Sequence, residues 1–298
     1  MNERFDLNLQ LFAAESNVTT SANMSKVREV DFVNQFSHVS MRKLMEALGV
    51  VRKVPMMEGT TMYVYKTTGV LTSGAVAEGD IIPLSQYQRT REAVGELTLK
   101  KWRKAVTAEA IKKSGYDEAL RETDAKMLAD IQKGIRTAFF TFLTRLGGDA
   151  VSAGTLQEAL AKLWGQLQVL FEDDAVDPVF FLNPLTAAEY LATANITIQT
   201  AFGMNYVQDF LGLGTVVMSS QVPEGEVFAT SKDNLVLLYL SMNGDVASAF
   251  NLTTDETGFI GMHTSQTDNR AQIETLVMNG IQFLVEYVDG VVKAEISA

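Results

Sequence analysis

The 298-residue sequence contains no cysteine, only two histidines and only five prolines. Without thiols the chain forms no disulfide, thiolate zinc site or iron–sulfur cluster, and it has no cysteine nucleophile. No run of about 18 apolar residues is present, and no apolar signal region stands near residue 1, so we expect neither a membrane span nor secretion. At 47% hydrophobic and 20% charged residues, the composition is that of a folded globular protein.

Positive charge is scarce in the second half of the chain. Residues 1–145 contain 21 Lys and Arg against 17 Asp and Glu, whereas residues 146–298 contain 4 against 19, giving net charges of +4 and −15. Such an asymmetry suits head-to-tail contacts, in which the basic part of one copy meets the acidic part of the next. A solvated surface explains the asymmetry equally well, and both explanations stay open.

The first 50 residues predict an extended arm followed by a helix. Apolar residues alternate at period two over Phe5, Leu7, Leu9 and Leu11, and a Ser/Thr/Asn-rich stretch follows them. From Asp31, a favourable N-cap residue, apolar side chains recur at mostly helical spacing until Gly49. We therefore place the start of the helix at Asp31 and its end at Gly49.

Two β-type runs follow, over residues 61–68 and 95–102, separated by a long polar stretch that contains Ile81. They predict a long two-stranded hairpin. A hairpin of this length without a third strand is marginal in water, so it needs a surface to lie on. In an assembly, a neighbouring copy supplies that surface.

The remaining pattern mixes helices and strands. Residues 117–146 keep helical spacing and predict a helix about 45 Å long at 1.5 Å per residue. Thr155 and Glu158 form the sequence signature of a capping box ahead of a second amphipathic helix. Residues 178–182 predict a buried strand, and Asn183-Pro184 predicts the start of a further helix. Later strands are predicted at 215–219, 226–230, 235–239, 271–278, 281–288 and 291–296. The fold class is α+β, without a regular βαβ repeat.

No residue pattern indicates catalysis, a cofactor or a metal. His38 and His263 each have a hydroxyl residue beside them, but neither lies in a nucleophile-elbow sequence. The acidic residues Glu172, Asp173, Asp174 and Asp177 lack calcium-loop spacing and are better explained as a solvated turn. Gly212-Leu-Gly lacks the third glycine of a dinucleotide motif. We therefore predict that the chain is not an enzyme and has no cofactor or metal site.

A basic stretch runs from Arg89 to Lys113, with eight Lys and Arg against three glutamates. Four of its cations, Lys100, Lys101, Arg103 and Lys104, surround Trp102. Closely spaced cations with an aromatic residue suit nucleic-acid contact through phosphate neutralisation and base stacking. A strip that meets the acidic half of a neighbouring copy is the interpretation we favour.

Several segments resemble the major capsid proteins of tailed bacteriophages. The opening Asp6-Leu-Asn-Leu-Gln-Leu-Phe-Ala is similar to the start of many such proteins from phages of Gram-positive hosts. Ala77-Glu-Gly-Asp-Ile-Ile-Pro is similar to the extended loop of the family. Phe180-Phe-Leu-Asn-Pro, Val216-Val-Met-Ser-Ser and Val222-Pro-Glu-Gly look like its axial domain. The order of the predicted elements agrees with this resemblance over nearly the whole chain.

The resemblance implies a division of the chain into the segments of the capsid fold. These are an N-terminal arm (1–30), an N-terminal helix and lead-in (31–54), an extended β-hairpin loop (55–108), a peripheral domain with a long spine helix (109–174), an axial domain (175–264) and return strands of the peripheral domain (265–298). It further implies self-assembly into hexamers and pentamers of an icosahedral shell, with the hairpin lying over an adjacent subunit.

The partners implied are other copies of the chain, a separate scaffolding protein, a portal, packaged double-stranded DNA contacted without sequence specificity, and in some relatives a decoration protein. The implied location is the virion, with the host cytoplasm as the site of assembly. No lysine–asparagine pair matches the covalent crosslink of some relatives, so we predict no crosslink.

Residues on the arm, the hairpin and the basic strand are predicted to contact neighbouring subunits. They are Phe5, Leu7, Leu9, Leu11, Tyr63, Tyr65, Ile81, Arg89, Arg91, Lys100, Lys101, Trp102, Arg103 and Lys104. Replacing Trp102 by Ala is expected to leave the monomer folded and weaken assembly. Two alternatives stay open: a bacterial nanocompartment shell protein of the same fold, and a cytoplasmic mixed-fold enzyme or binding protein whose site has no recognisable sequence pattern.

Overall fold

The computed structural model describes residues 21–50, 52–72, 74–77, 79–146, 150–171, 176–193, 198–201 and 203–297. Its helices are α1 (Ser21–Asn34), α2 (Arg42–Leu48), α3 (Ala108–Ser114), α4 (Tyr116–Leu146), α5 (Leu156–Leu170), α6 (Pro184–Thr193) and α7 (Asp245–Phe250). A π-helical segment, Gln35–Met41, joins α1 to α2 without a break. The 31 residues of α4 confirm the predicted long helix.

Strands make up the rest of the regular structure. They are β1 (Arg52–Met56), β2 (Thr61–Val70), β3 (Gln86–Glu96), β4 (Lys100–Thr107), β5 (Ala150–Ala153), β6 (Pro178–Leu182), β7 (Gln199–Ala201), β8 (Met204–Phe210), β9 (Gly214–Met218), β10 (Glu226–Ser231), β11 (Leu235–Leu240), β12 (Ile260–Thr267), β13 (Gln272–Asn279), β14 (Ile281–Val285) and β15 (Val291–Ile296).

These strands form three sheets and a separate two-stranded ribbon. The largest sheet has seven strands in the order β5-β15-β10-β6-β9-β8-β7 and combines parallel and antiparallel pairs. Two three-stranded sheets have the orders β1-β11-β14 and β12-β13-β4, and β2 pairs with β3 alone. Strands that are distant in the sequence therefore meet in each of the three sheets, whereas the ribbon joins two consecutive strands.

The central strand β6 is buried on both faces, as its uninterrupted apolar sequence predicts. Val179 and Phe181 point into the core beneath α4, while Phe180 and Leu182 point into a second core beneath α5. Successive residues of a strand face opposite sides, so one five-residue segment contributes to both cores. The seven-stranded sheet is therefore held between α4 and α5.

Helix α4 joins this sheet to the β1-β11-β14 sheet. The ring of Phe139 lies edge-on to Phe181 of β6 at 5.5 Å and to Phe283 of β14 at 6.0 Å between centroids. Edge-to-face pairs of this kind contribute about 0.5–1.5 kcal/mol beyond their burial. The long helix therefore aligns two sheets that share no strand.

Two helix boundaries follow local signals in the sequence. Gly49 ends α2 in the left-handed region at φ 67°, which favours glycine, and a Cβ there would lie 2.0 Å from the Lys232 side chain and would have to displace it. Thr155 caps α5 by accepting a hydrogen bond from the Glu158 backbone N–H at 3.2 Å. The Glu158 carboxylate accepts from the Gly154 N–H at 2.8 Å, one residue beyond the usual capping box.

The predicted start of the first helix at Asp31 is wrong. Helix α1 already begins at Ser21, and Asp31 lies within it. The earlier turns are held by Arg28 and Glu29, which bond to residues more than 200 positions away in the chain. No local pattern in the sequence reveals such distant partners, whereas the N-cap preference of Asp31 is visible locally.

The predicted return strand of the hairpin, residues 95–102, is also wrong. Strand β2 pairs with β3 in a register that joins Thr61 to Glu96 and Val70 to Gln86. Residues of β3 are almost all exposed, so they lack the apolar alternation that marks a strand. The β-type run that includes Trp102 instead forms β4, which pairs with β13.

The domain limits based on the resemblance stay predictions. Strand β15 belongs to the segment predicted as return strands of the peripheral domain, and it pairs with β10, which belongs to the segment predicted as the axial domain.

We predict that Leu160→Ala in α5 lowers the free energy of unfolding by about 3 kcal/mol, because Leu160 is fully buried in the second core. Val169→Ala in the same helix is the matched control, since Val169 is 76% exposed and should change stability by less than about 0.5 kcal/mol. Urea unfolding of the unassembled subunit measures both. Equal losses for the two variants would contradict the two-core arrangement.

Candidate assembly surface

The β2–β3 ribbon projects from the body with two different faces near its base. Met62 and Val64 of β2 point inward and are buried in the main core. Tyr63 and Tyr65 point to the other face, where the guanidinium of Arg91 lies 4.5 Å from the Tyr63 ring centroid and that of Arg89 lies 3.9 Å from the Tyr65 ring centroid. These four residues, each predicted to contact a neighbour, are therefore paired with each other across the ribbon.

The base of the ribbon is fastened to the turn between β14 and β15. The Tyr65 backbone N–H donates to the Glu286 carbonyl at 2.9 Å. Lys66 pairs with Asp289 at 3.2 Å, and the guanidinium of Arg89 also lies 5.8 Å from the Tyr287 ring centroid. Each exposed contact contributes at most about 1 kcal/mol. Together they fix the direction in which the ribbon leaves the body.

Beyond this base, the ribbon tip carries large apolar side chains in solvent. Their exposed fractions are Val70 79%, Leu71 75%, Ile81 93%, Ile82 73%, Leu84 95% and Tyr87 62%. Soluble monomers seldom expose so many neighbouring apolar residues, and such clusters mark interaction surfaces. Ile81, the tip residue predicted from the sequence, lies in this group, and the structure adds Ile82 and Leu84.

Strand β4 divides the predicted basic strip between two faces. Lys101 and Arg103 are exposed on the outer face, where Arg103 lies 3.6 Å from the Glu274 carboxylate. Lys100, Trp102 and Lys104 alternate with them on the inner face and are half-buried. Burial lowers the pKa of Lys100 below the usual lysine value. Trp102 packs against the main core, so its ring contributes to the subunit interior.

Lys104 takes part in a charge cluster inside the subunit. Its ammonium lies 2.6 Å from Asp124 of α4, and the Arg28 guanidinium of α1 lies 3.2 Å from the other oxygen of that carboxylate. Burial lowers the pKa of Lys104, and the hydrogen bond to Asp124 opposes this shift. The cluster joins α1, α4 and β4, and Lys104 is its only member that was predicted from the sequence as a contact residue.

Glu29, the neighbour of Arg28, fastens α1 to β12. Its carboxylate accepts hydrogen bonds from the Thr264 backbone N–H and the Thr253 hydroxyl, while Arg28 donates to the hydroxyls of Thr264 and Thr275. These donors satisfy the hydrogen-bonding capacity of a carboxylate whose residue is only 3% exposed. Two adjacent charged residues therefore hold the N-terminal helix on the sheet.

The residues considered for catalysis or metal binding each have a different structural contact. His38 lies 3.3 Å from Asp255, and His263 stands opposite Leu276 in the sheet. Asp177 pairs with Lys232 at 2.6 Å, whereas Glu172, Asp173 and Asp174 lie outside the described residues. Within the described ranges, no cluster of three or more His, Asp or Glu could hold a metal ion.

Two further predictions concern membranes and the arm. Phe5, Leu7, Leu9 and Leu11 lie outside the described residues, so their contacts stay predictions. None of the helices in the described part of the chain combines the length and hydropathy needed to cross a bilayer.

Comparison with known proteins identifies the architecture. No protein-family model and no curated protein matches the sequence. Among solved structures, the capsid of a native GTA particle covers 87% of this chain and 90% of its own, with TM-score 0.57 and 14% identity. The capsid of cyanophage P-SCSP1u covers 85% and 88%, with TM-score 0.51 and 10% identity. The chain has the tailed-phage major capsid fold.

This capsid fold is also found outside phages. The SrpI encapsulin complex of Synechococcus elongatus PCC 7942 covers 88% of this chain and 90% of its own, with TM-score 0.50 and 13% identity. The predicted α+β fold class is confirmed. Within the capsid fold, α4 corresponds to the predicted spine helix and the β2–β3 ribbon to the predicted extended loop. The Gram-positive host stays a prediction.

We predict that Asp124→Asn lowers the free energy of unfolding by about 3 kcal/mol, because it leaves Arg28 and Lys104 partly buried without a countercharge. Asp130→Asn is the matched control in the same helix, since its pair with Lys126 is exposed and should contribute less than about 0.5 kcal/mol. Urea unfolding of the subunit measures the difference. A loss for Asp124→Asn as small as that of the control would show that the cluster is not stabilising.

Proposed function

We propose that this chain is the major capsid protein of a tailed bacteriophage, a structural subunit that assembles into hexamers and pentamers of an icosahedral shell around double-stranded DNA. The observation that carries the proposal is the projecting ribbon with its exposed apolar tip, set on the capsid fold. A monomer gains no free energy from exposing these apolar side chains to water. In a shell, they would be buried between neighbouring copies.

The mechanism of assembly depends on the geometry of the contacts between copies. A projecting element on one side and its receiving surface on another form a heterologous contact, which closes into a ring when the rotation between copies is suitable. Once a ring or shell closes, several modest interfaces act together, because each contact holds the others at high effective concentration. The arm residues, Lys101, Arg103 and the ribbon tip are the contacts that we propose.

The partners proposed from the resemblance are a separate scaffolding protein, a portal and packaged DNA. The exposed Arg103 of β4 lies 3.6 Å from the Glu274 carboxylate, and the second half of the chain, which contains Glu274, carries a net charge of −15. An acidic surface facing the lumen would keep packaged DNA from adhering. We place assembly in the host cytoplasm and the mature protein in the virion.

A nanocompartment shell is the second candidate, because an encapsulin shares the fold at TM-score 0.50. The two functions differ in what the particle encloses. Nuclease-protected double-stranded DNA in purified particles would support the capsid, whereas an enclosed protein without DNA would support the nanocompartment.

Electron microscopy and sedimentation of the protein, expressed alone and with the products of neighbouring genes, test the proposal. Closed shells, tubes or rings of five and six subunits are expected. A monomer or dimer under every condition would overturn it and would favour a soluble enzyme or binding protein.

We further predict that replacing Ile81, Ile82 and Leu84 together by Ser lowers the yield of assembled particles about tenfold or more, because it removes the apolar tip. The unfolding free energy of the monomer should change by less than about 0.5 kcal/mol, since all three side chains are exposed. Met57→Ser, at an 83% exposed position away from the tip, is the control. An unchanged particle yield in the triple variant would contradict an assembly role for the tip.

A further inference from the structure

A small polar pocket of about 180 Å³ lies beside helix α4, at the carboxyl ends of strands β6 and β9. These two strands run parallel, and their last paired residues are Leu182 and Met218. The pocket is lined by Lys133 and Arg136 of α4, by the start of β8 and by the segment 219–221 that follows β9. Crevices beyond the carboxyl ends of parallel strands are common ligand sites, because loops and helix starts meet there.

Helix α4 changes the sign of its charge along its length. Residues 116–130 contain five Asp and Glu against two Lys and Arg, whereas residues 131–146 contain three Lys and Arg and no acid, giving net charges of −3 and +3. In the described part of the chain, the ion pairs of this helix involve Asp124 and Asp130, and Lys133 takes part in none of them. Among the described residues that line the pocket, none is Asp or Glu. The pocket is therefore positively charged.

The guanidinium of Arg136, which lines this pocket, lies against the backbone of Gly203. A Cβ at Gly203 would lie 2.0 Å from a terminal nitrogen of Arg136, so the glycine leaves the space that the guanidinium occupies. Gly203 also has φ 71°, a conformation that favours glycine. Burial lowers the pKa of Arg136 below the usual arginine value, because the charged form loses contact with water. A bound anion would replace this lost hydration with a countercharge.

Hydroxyl and amide groups complete the polar lining of the pocket. Ser219 is buried, and its hydroxyl accepts a hydrogen bond from the Gln221 backbone N–H at 3.3 Å, which leaves the hydroxyl proton to donate. The side-chain oxygen of Asn205 accepts from the Thr200 hydroxyl at 3.1 Å, and its amide nitrogen carries two donors. Ser220 adds a second hydroxyl. Cations combined with neutral donors, and without carboxylates, suit an oxyanion and not a metal ion.

The size of the pocket selects a small anion. Sites for drug-sized organic molecules commonly enclose about 300–1,000 Å³, so a pocket of about 180 Å³ suits a compact ion. The planar guanidinium of Arg136 offers parallel N–H donors that match two oxygens of a phosphate, and the Lys133 ammonium adds a point charge. These two residues are three positions apart in α4, so their Cβ atoms are about 5–6 Å apart and both side chains reach one ion.

We propose that this pocket binds a tetrahedral oxyanion of the phosphate class, held by the Arg136 guanidinium, the Lys133 ammonium and the hydroxyls of Ser219 and Ser220. The site lies within one subunit, and the inference is independent of the proposed shell function. The same chemistry recognises free inorganic phosphate and a phosphate of a nucleic-acid backbone, and a competition experiment separates these two sources.

Isothermal titration calorimetry of the unassembled subunit with inorganic phosphate, at constant ionic strength, tests the proposal. We expect saturable binding, and about tenfold weaker binding in Lys133→Gln and in Arg136→Gln, since each removes one charge-assisted contact. Lys126→Gln is the matched control in the same helix, because Lys126 is exposed and pairs with Asp130 outside the pocket. Lys133 is also exposed, so its replacement should leave the midpoint of urea unfolding unchanged.

The absence of saturable binding, or the same affinity in Lys126→Gln and Lys133→Gln, would overturn the site. A short double-stranded DNA is then added to the phosphate-loaded subunit. Displacement of phosphate by DNA, reduced in Lys133→Gln, would identify a backbone phosphate as the source, whereas no displacement would identify the free ion. Failure of the unmodified chain to form shells, tubes or rings would overturn the shell proposal and leave this site intact.

Discussion

The burial of one sheet on both faces is the constraint on which the rest of this structure depends. Strand β6 sends alternate side chains into two cores, so a helix must cover each face. Helix α4 supplies one cover and α5 the other. Because the Phe139 ring of α4 also meets Phe283 in a different sheet, the requirement to cover β6 fixes the relative position of two sheets. The N-terminal helix, the ribbon and the β12-β13-β4 sheet are arranged around this unit.

Charge serves two purposes in the subunit. Asp124, Arg28, Lys104 and Glu29 act inside it, where paired charges with little exposure join α1, α4 and β4 to the sheet. Breaking such a pair is costly because the remaining charge stays away from water. The exposed cations Lys101 and Arg103 on the opposite face of β4 make no comparable buried contact. A single basic run in the sequence thus places some of its cations inside the subunit and others on its surface.

The ribbon shows how a weakly stable element persists on a stable body. Two strands alone are marginal in water, yet the base of this ribbon buries Met62 and Val64 and is joined to the β14–β15 turn. Among the described residues of the tip, the aliphatic side chains of Ile81, Ile82 and Leu84 remain in solvent. Stability at the base and exposure at the tip are the properties needed by an element that binds a neighbouring copy.

The sequence by itself determined the elements whose signals are local. The 31-residue helix, the Thr155 cap, the buried strand Pro178–Leu182 and the end of a helix at Gly49 follow from periodicity, capping preference and apolar runs. The resemblance carried by short segments predicted the capsid fold. The tip residue Ile81 was also identifiable, although its companions Ile82 and Leu84 were not singled out.

Only the tertiary structure decided which strands pair and which charges are buried. Strand β3 has no apolar alternation because almost all of its residues are exposed, so its pairing with β2 could not be inferred from its sequence. Helix α1 extends back to Ser21 because Arg28 and Glu29 find partners more than 200 residues away. The polar pocket beside α4 likewise exists only where residues near 136, 204 and 220 meet. Local patterns depend on neighbours in sequence, whereas these features depend on contacts between segments that folding brings together.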